Sequence, residues 1–512
     1  MKRLMLCCAL GLACFTAACS NGGSIPGAPT PTGNFSLASL KGGYAFSMSG
    51  TNVTSGNPLS RIGSFIADGS GHITAGIEDV NSVGSTGTLS FTPSPTSSYT
   101  MNANGKGTLT LVNSSGTLTF TIALSTPSFG YIVETDGSST ASGFFQLQTL
   151  GSTFGAAYAF DVTGLDLGTG ASLSVIGRFT TDGSSGVTGG VEDINDDATI
   201  TAQQAINAAA FGLDPNSGNG ATFGRGTMTI GLSSFVFYYI DSTHLLLIEG
   251  NDQVAALVGS ATAQGNIPTA AASLASSFVI DVGGGTGGTA ALGPLTRVGR
   301  FTSDGTGNLT NIALDQNVAG IHLGFPKSTF SNPAITIDPT GTGRGTVKLT
   351  DVSSGAIFSY VFYLSSLTGG YIQDVSNNDI ADGSISMQTG GPFTLSSLAG
   401  NYIVNWSGFN ENNQFEEDFV GQYVQSTGTT SNVTGEVDYT EIGSNSIVTG
   451  AALTGALTIT GDGTSGGSMA NTATIQAGGQ TLSFFVYIVD SNNIVLFGTD
   501  KHVVLGTATK QQ

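Results

Sequence analysis

The sequence predicts an all-β protein of four tandem antiparallel domains, each about 115–120 residues and each an eight-stranded up-and-down barrel of the lipocalin or avidin kind. Three observations lead there: a pattern that returns four times, turn signals at short intervals, and no helix-period segment of useful length. The strand count leaves one alternative open, a β-sandwich of immunoglobulin type.

The returning pattern is clearest over residues 61–81, RIGSFIADGSGHITAGIEDVN. It recurs over 175–195 as VIGRFTTDGSSGVTGGVEDIN, over 297–317 as RVGRFTSDGTGNLTNIALDQN, and in worn form over 419–441. Gly63, Gly177, Gly299 and Gly421 hold equivalent places, at spacings of 114, 122 and 122 residues. A solenoid unit has roughly 20–50 residues, so a unit this long can close a core of its own. Within the pattern, Ile62, Phe65 and Ile66 lead into Asp68-Gly69-Ser70-Gly71, followed by Ile73 and Ile77. Asp-Gly supplies the positive-φ positions of a tight hairpin turn, so the stretch reads as strand, turn, strand.

In the first repeat Tyr44, Phe46 and Met48 alternate in an opening strand. Further strands are expected over 62–67, 72–78, 88–91, 99–101, 108–112, 118–124, 130–134 and 143–148, with a turn at Gly105-Lys106-Gly107. Gly224-Arg225-Gly226 and Gly343-Arg344-Gly345 mark the same turn in the second and third repeats, and 463–467 lies near it in the fourth. The domains then run over 37–149, 150–265, 273–389 and 393–512. One strand per repeat is apolar on both faces: 118–124, 235–240, 358–364 and 484–489. A strand with one wet face would alternate, so these are expected to be covered on both sides, and successive repeats to touch. Trp406, the only Trp, is expected in the core at the level of Phe46, Phe160 and Ile280.

Lys2 and Arg3 precede an apolar run over 4–15 and the small residues Thr16, Ala17 and Ala18 before Cys19. This is the form of a secretory signal over 1–18, too short to span a bilayer. The residues before Cys19 resemble a bacterial lipobox, which implies lipid on Cys19 and export to the cell envelope; Thr16 departs from that pattern, where Leu is usual, and leaves ordinary secretion as the alternative. Ser20 after Cys19 resembles the outer-membrane sorting choice. No Cys follows Cys19, so disulfides are excluded, and 19–36, rich in Gly, Pro, Ser and Thr, reads as a flexible tether.

The repeats resemble the multi-repeat Gly/Ser/Thr-rich lipoproteins of acidobacteria. The matching positions in the first repeat are Leu40, Gly42, Tyr44, Phe46, Gly63, Phe65, Asp68, Gly69, Gly71, Thr74, Gly76, Asp79, Asn81, Gly105, Gly107 and the closing Gln148. The resemblance covers nearly the whole chain after Cys19 and implies an architecture and an address, without an activity.

The chain has 14 basic and 34 acidic residues. Phosphate binding rests on Lys and Arg, so nucleic acid is excluded as a partner and the acidity reads as solubility. Oxygen ligands flank the hairpin in the first two repeats: Asp68, Glu78, Asp79 and Asn81, then Asp182, Glu192, Asp193 and Asn195. They are candidates for Ca²⁺, which wants six to eight oxygens, but the spacing is unlike an EF-hand and turn chemistry accounts for it more simply. The third repeat has Leu314 at the Glu position. Arg225 and Arg344 recur in a cation-poor chain, with Lys106 as counterpart, and are candidate contacts for an anionic glycan. The simpler reading is an exposed pair with the hairpin's own acids, worth under about 1 kcal/mol.

A run at 461–467 has the look of a serine-protease nucleophile, but no two of His72, His244, His322 and His502 hold equivalent places, and a triad needs a positioned His and Asp. The G-x-G-x-x-G string at 283–288 precedes no helical pattern, so a dinucleotide site lacks its context. No catalytic residue and no cofactor is expected. The sequence thus points to a non-enzymatic envelope lipoprotein with a structural, adhesive or surface-interaction role. The alternative is a surface protein that binds a small molecule or glycan in a barrel interior or an inter-domain groove.

Overall fold

The computed structural model describes residues 33–512 apart from 216–217, 251–253, 288–292, 326–329, 377, 427–430, 443–445, 460–470 and 478. The signal over 1–18, Cys19, most of the tether and the 461–467 run lie outside the described residues.

Each repeat is an antiparallel meander curled on itself, with its first strand paired to its second and its last. In the first repeat Lys41–Asn52 lies between Pro58–Asp68 and Ser139–Leu147. The turn between Pro58–Asp68 and Ile73–Ser82 carries Gly69 at φ 82° and Gly71 at φ 98°, in the left-handed region that Gly enters at least cost. Asp68 Oδ1 accepts the backbone N–H groups of Ser70 and His72, and Asp182 and Asp304 hold the equivalent turns in the same way.

The expectation of four closed barrels holds for two repeats. The fourth closes through eight strands, from Gly400–Asn410 to His502–Lys510. The second also closes through eight, with Thr199–Ile206 as an extra strand on the side of Gly186–Asp196. The first and third are curled half-barrels of nine strands, in which the edge strands Ser98–Tyr99 and Ala334–Ile337 touch the starts of Ile73–Ser82 and Leu309–Val318 at single bridges, His72 with Ser98 and Asn308 with Ala334. Proline explains the gap. Pro93 and Pro95 interrupt the chain between Ser85–Ser90 and Ser98–Tyr99, and Pro333 precedes Ala334; none has an N–H to extend a ladder.

Inside each unit the inward residues of every strand form one apolar core. An opening-strand Tyr recurs as a fastener. The Tyr44, Tyr158 and Tyr402 rings stack on Phe65, Phe179 and Tyr423, and their hydroxyls donate to the carbonyls of Pro127, Ser242 and Ser491. Trp406 is fully buried, but two residues beyond the expected level. Its cross-strand partner is Phe419, so it aligns with Met48, Val162 and Val282, which pair with Arg61, Val175 and Arg297.

The doubly apolar strands join the repeats. In Ser233–Asp241, Phe235, Phe237 and Tyr239 enter their own barrel, while Val236, Tyr238 and Ile240 pack on Ala45, Ile62 and Ile77 of the first repeat. In the same way Val361 and Tyr363 of the third repeat cover Ala159 and Ile176 of the second. Tyr487 of the fourth covers Val279 and Val298 of the third. The series then closes, because Ala123, Tyr131 and Val133 of the first repeat cover Ile403 and Val420 of the fourth. The four units form a ring, each presenting the same two faces to its neighbours.

Candidate functional site

The charged residues singled out by the repeats assemble at these ring contacts. In a strand, adjacent residues face opposite sides. Glu78 therefore points into the first unit while Asp79 points out, toward the second. There Arg225 Nε and Nη2 donate to both Asp79 carboxylate oxygens, at 2.8 and 2.9 Å, and Tyr238 donates its hydroxyl to the same carboxylate at 2.7 Å. Arg344 grips Asp193 of the second repeat at 2.8 and 2.7 Å, with the Tyr363 hydroxyl at 2.6 Å. Tyr487 and His322 hold Asp315, and Lys106 of the first repeat reaches Asp438 of the fourth at 2.6 Å beside Thr121.

The simpler reading of Arg225 and Arg344 thus finds the right partner residues in the wrong place. Their carboxylates belong to the preceding repeat, and the pairs lie largely out of water, with Arg225 and Asp79 side chains only 12% and 7% exposed. Burial works against the Arg225 charge, and Asp79 outweighs it, holding the guanidinium cationic. Burial, then Asp79, pushes the Tyr238 hydroxyl up, so it remains a donor. Two paired nitrogens engaged with protein carboxylates leave these arginines poorly placed as anion contacts.

A second device repeats around the ring. The closing glutamines Gln148, Gln264 and Gln388 each donate Nε2 to backbone carbonyls of the next repeat, and Gln511 does so to Asn104 and Leu124 of the first. The residues that follow bond likewise: Thr149 to Ile240, Gly265 to Ser365, Thr389 to Val489 and Gln512 to Ser125. Neither the cyclic pairing nor these glutamine contacts was identified from the sequence. The signal available was the recurrence of Gln at the end of all four repeats.

The Ca²⁺ candidates do not converge. Asp68 and Asp182 close exposed turns. Glu78 lies inside the first unit on Arg61 and Asn113, Asp79 and Asp193 belong to the contacts, and Asn81 and Asn195 donate Nδ2 to carbonyls of the following repeat. Among the described residues no group of three or more His, Cys, Asp or Glu is set to hold a metal ion. Glu192 stands apart, at the mouth of the second barrel.

Two grooves follow from the ring. One of about 540 Å³ lies between the first and second repeats beside Asp79, Thr88 and Arg225. Another of about 570 Å³ lies where the first, third and fourth meet, lined by Tyr131, Asp281 and Thr507.

Buried carboxyls are common at these contacts. Asp161 faces Asp382 between the second and third repeats, and burial, then that neighbour, pushes Asp161 well up, since two touching carboxyls out of water do not both ionise. Asp418 and Glu416 are raised by burial against the first repeat, where they accept from Ser142, Thr51 and Thr140. Burial also raises Glu134 to about 7 and Asp281 to about 6. A carboxyl whose folded pKa lies above its unfolded value binds more protons when folded, so it lowers stability as pH rises from the unfolded value through the folded one. The window here runs from roughly pH 4 to 7. The depressed turn aspartates, such as Asp304 at about 2, are already ionised throughout it. The melting midpoint is therefore expected to be higher at pH 5 than at pH 8, with Asp382→Asn reducing the difference. A midpoint that is flat or rises over that range contradicts this assignment.

No protein-family model and no curated protein matches the chain. Among solved structures, a mutant of the vaccine antigen transferrin binding protein B (TbpB) from Haemophilus parasuis is similar over 92% of this chain and 95% of its own, at 10% identity and a TM-score of 0.18. A TM-score that low establishes no common fold.

Proposed function

We propose that the protein is a non-enzymatic lipoprotein of the cell envelope, whose four β-units form one rigid head for surface interaction, held off the membrane by the 19–36 tether. The observation that carries this reading is the closed ring. Lys106, Asp438 and Gln511 tie the last repeat to the first, so the units present fixed outer loops as a single body. Repetition of one contact device, with no set of catalytic side chains shared among the described residues, supports a binding or structural role over an enzymatic one. The acidic surface favours protein or glycan partners over nucleic acid and anionic headgroups.

The address is tested by intact-mass spectrometry of protein extracted from membranes. The expected mass corresponds to cleavage before Cys19 with lipid on its sulfur and amino group. An unmodified mass with cleavage elsewhere would make the protein secreted and remove the tether. Antibody labelling of intact cells, and loss of surface attachment on deletion, then test the interaction role. A second reading, small-molecule binding within a barrel, is favoured by the open mouth of the second unit.

A further inference from the structure

The mouth of each unit is set by one cross-strand pair. It is Met48 with Arg61 in the first repeat, Val282 with Arg297 in the third and Trp406 with Phe419 in the fourth. Each of these pairs supplies a large side chain. Arg61 lies on Glu78 and Glu134 at 3.3 and 3.4 Å. Arg297 is fully buried, paired with Asp374 and Asp379 and set over the Phe358 ring at 4.9 Å. The Trp406 indole stacks on Phe419 at 4.8 Å.

In the second repeat the same pair is Val162 with Val175. Two small apolar side chains leave a cavity of about 180 Å³, walled also by Phe235 and Leu257 and rimmed by Leu232 and Val254, which are 85% and 57% exposed. The carboxylate survives although its arginine is gone. Glu192 pairs across the ladder with Gly177, as Glu78 does with Gly63, so the two carboxylates hold equivalent places. Glu192 is 4% exposed and lines the cavity, and no described residue donates a hydrogen bond to its carboxylate. Asn113, which serves Glu78 in the first repeat, has no counterpart here, because the equivalent hairpin is shorter and its ladder ends at Ile230 with Ser233. Asp196, whose Oδ1 is buried without a hydrogen-bond partner, and Asp166 line the same space, and among the described residues no Lys or Arg does. Burial, then Asp193, pushes Glu192 up to about 7, the behaviour of a carboxyl lacking its cation.

We propose that the mouth of the second barrel binds a small organic ammonium ion with an apolar body, which occupies the place that an internal arginine fills in the first and third repeats. The inference deepens the small-molecule reading and is independent of the envelope role. An apolar cavity of about 150 Å³ holds a benzene-sized guest, so this one admits a single ring or a short alkyl chain with one charged arm. The charged arm meets Glu192, and the body replaces the missing guanidinium stem against Val162, Val175 and Phe235.

The test is calorimetric titration of the full chain with benzylammonium and, separately, with its neutral isostere benzyl alcohol. Saturable benzylammonium binding is expected, at least tenfold tighter than benzyl alcohol. Glu192→Gln should erase that preference. Val175→Arg, which restores the arginine of the first and third repeats, should abolish binding of both probes while raising the melting midpoint. Should one variant fail to fold, the other still decides the question, alongside the comparison of probes on the unaltered chain. Equal binding of the two probes would leave a small-molecule pocket and overturn the cation assignment. Binding of neither would overturn both.

Discussion

Arg225→Ala is expected to destabilise the contact between the first and second repeats by about 3–5 kcal/mol, because it strips the cation from a carboxylate held out of water. Asp79 would keep the Tyr238 hydroxyl at 2.7 Å and Thr88 at 2.6 Å, but no charge would oppose its own. The exposed pair foreseen from the sequence would cost under about 1 kcal/mol, so the two placements differ severalfold in their consequence. Urea titration gives the size of the loss. Hydrogen exchange gives its location, with Ser233–Asp241 and Ile73–Ser82 expected to lose protection before the fourth repeat does. Replacing both partners with apolar residues, as in Arg225→Met with Asp79→Leu, should cost less than the single change, since the Asp79 charge leaves with its cation and only Asp214, which Arg225 Nη1 also holds at 2.7 Å, loses an ion-pair partner. A single-variant loss below about 1 kcal/mol would return the pair to the surface.

Trp406→Ala is the second large effect, expected at about 3–5 kcal/mol and confined to the fourth barrel. The indole is fully buried, 4.8 Å from Phe419 and 5.6 Å from Phe484 between ring centres. Its Nε1 has no hydrogen-bond partner, so the loss is one of packing and cavity. Its backbone also leaves no room opposite: a Cβ on Gly506 would fall 2.4 Å from the Trp406 Cβ. As the only Trp, it makes native fluorescence a report on this barrel alone. Blue-shifted emission that moves red on unfolding is expected, with Trp406→Phe costing well under half of the alanine change. An alanine variant as stable as the parent would mean that the mouth is not filled by this side chain.

Much of each unit was legible because its determinants are local. Asp-Gly turns and alternation place Pro58–Asp68 and Ile73–Ser82, and the double apolar faces of Ser233–Asp241 and Ile357–Ser366 announce a cover on both sides. What covers them was not legible. The partner of Arg225 is Asp79, in the preceding repeat and 146 positions away, and no periodicity within a repeat names it. Treating Glu78 and Asp79 as one ligand cluster ignored strand alternation, which sends one carboxylate into the unit and the other toward the neighbour. The half-barrels were missed for a related reason. The prolines at 93, 95 and 333 are visible, but whether a sheet edge closes past them depends on curvature set by all its strands. The second barrel's mouth is the opposite case. Val175 in place of Arg61 and Arg297 stands in the aligned repeats, and only the pairing register shows that it leaves Glu192 facing a space.

The central claim is that the ring closes, and it is tested most directly by energy transfer between dyes on the first and last repeats. No Cys follows Cys19, so a chain without residues 1–18, which hold Cys7, Cys8 and Cys14, and carrying Cys19→Ser, Ser128→Cys and Gln512→Cys labels cleanly. Both positions are exposed, and the Gln512 amide donates to the carbonyl of Ser125 at 2.9 Å. Near-complete transfer is expected in the native protein, lost on unfolding and weakened by Lys106→Ala. Transfer close to that of the unfolded chain under native conditions would mean that the repeats run as an open string, and the ring account would fall.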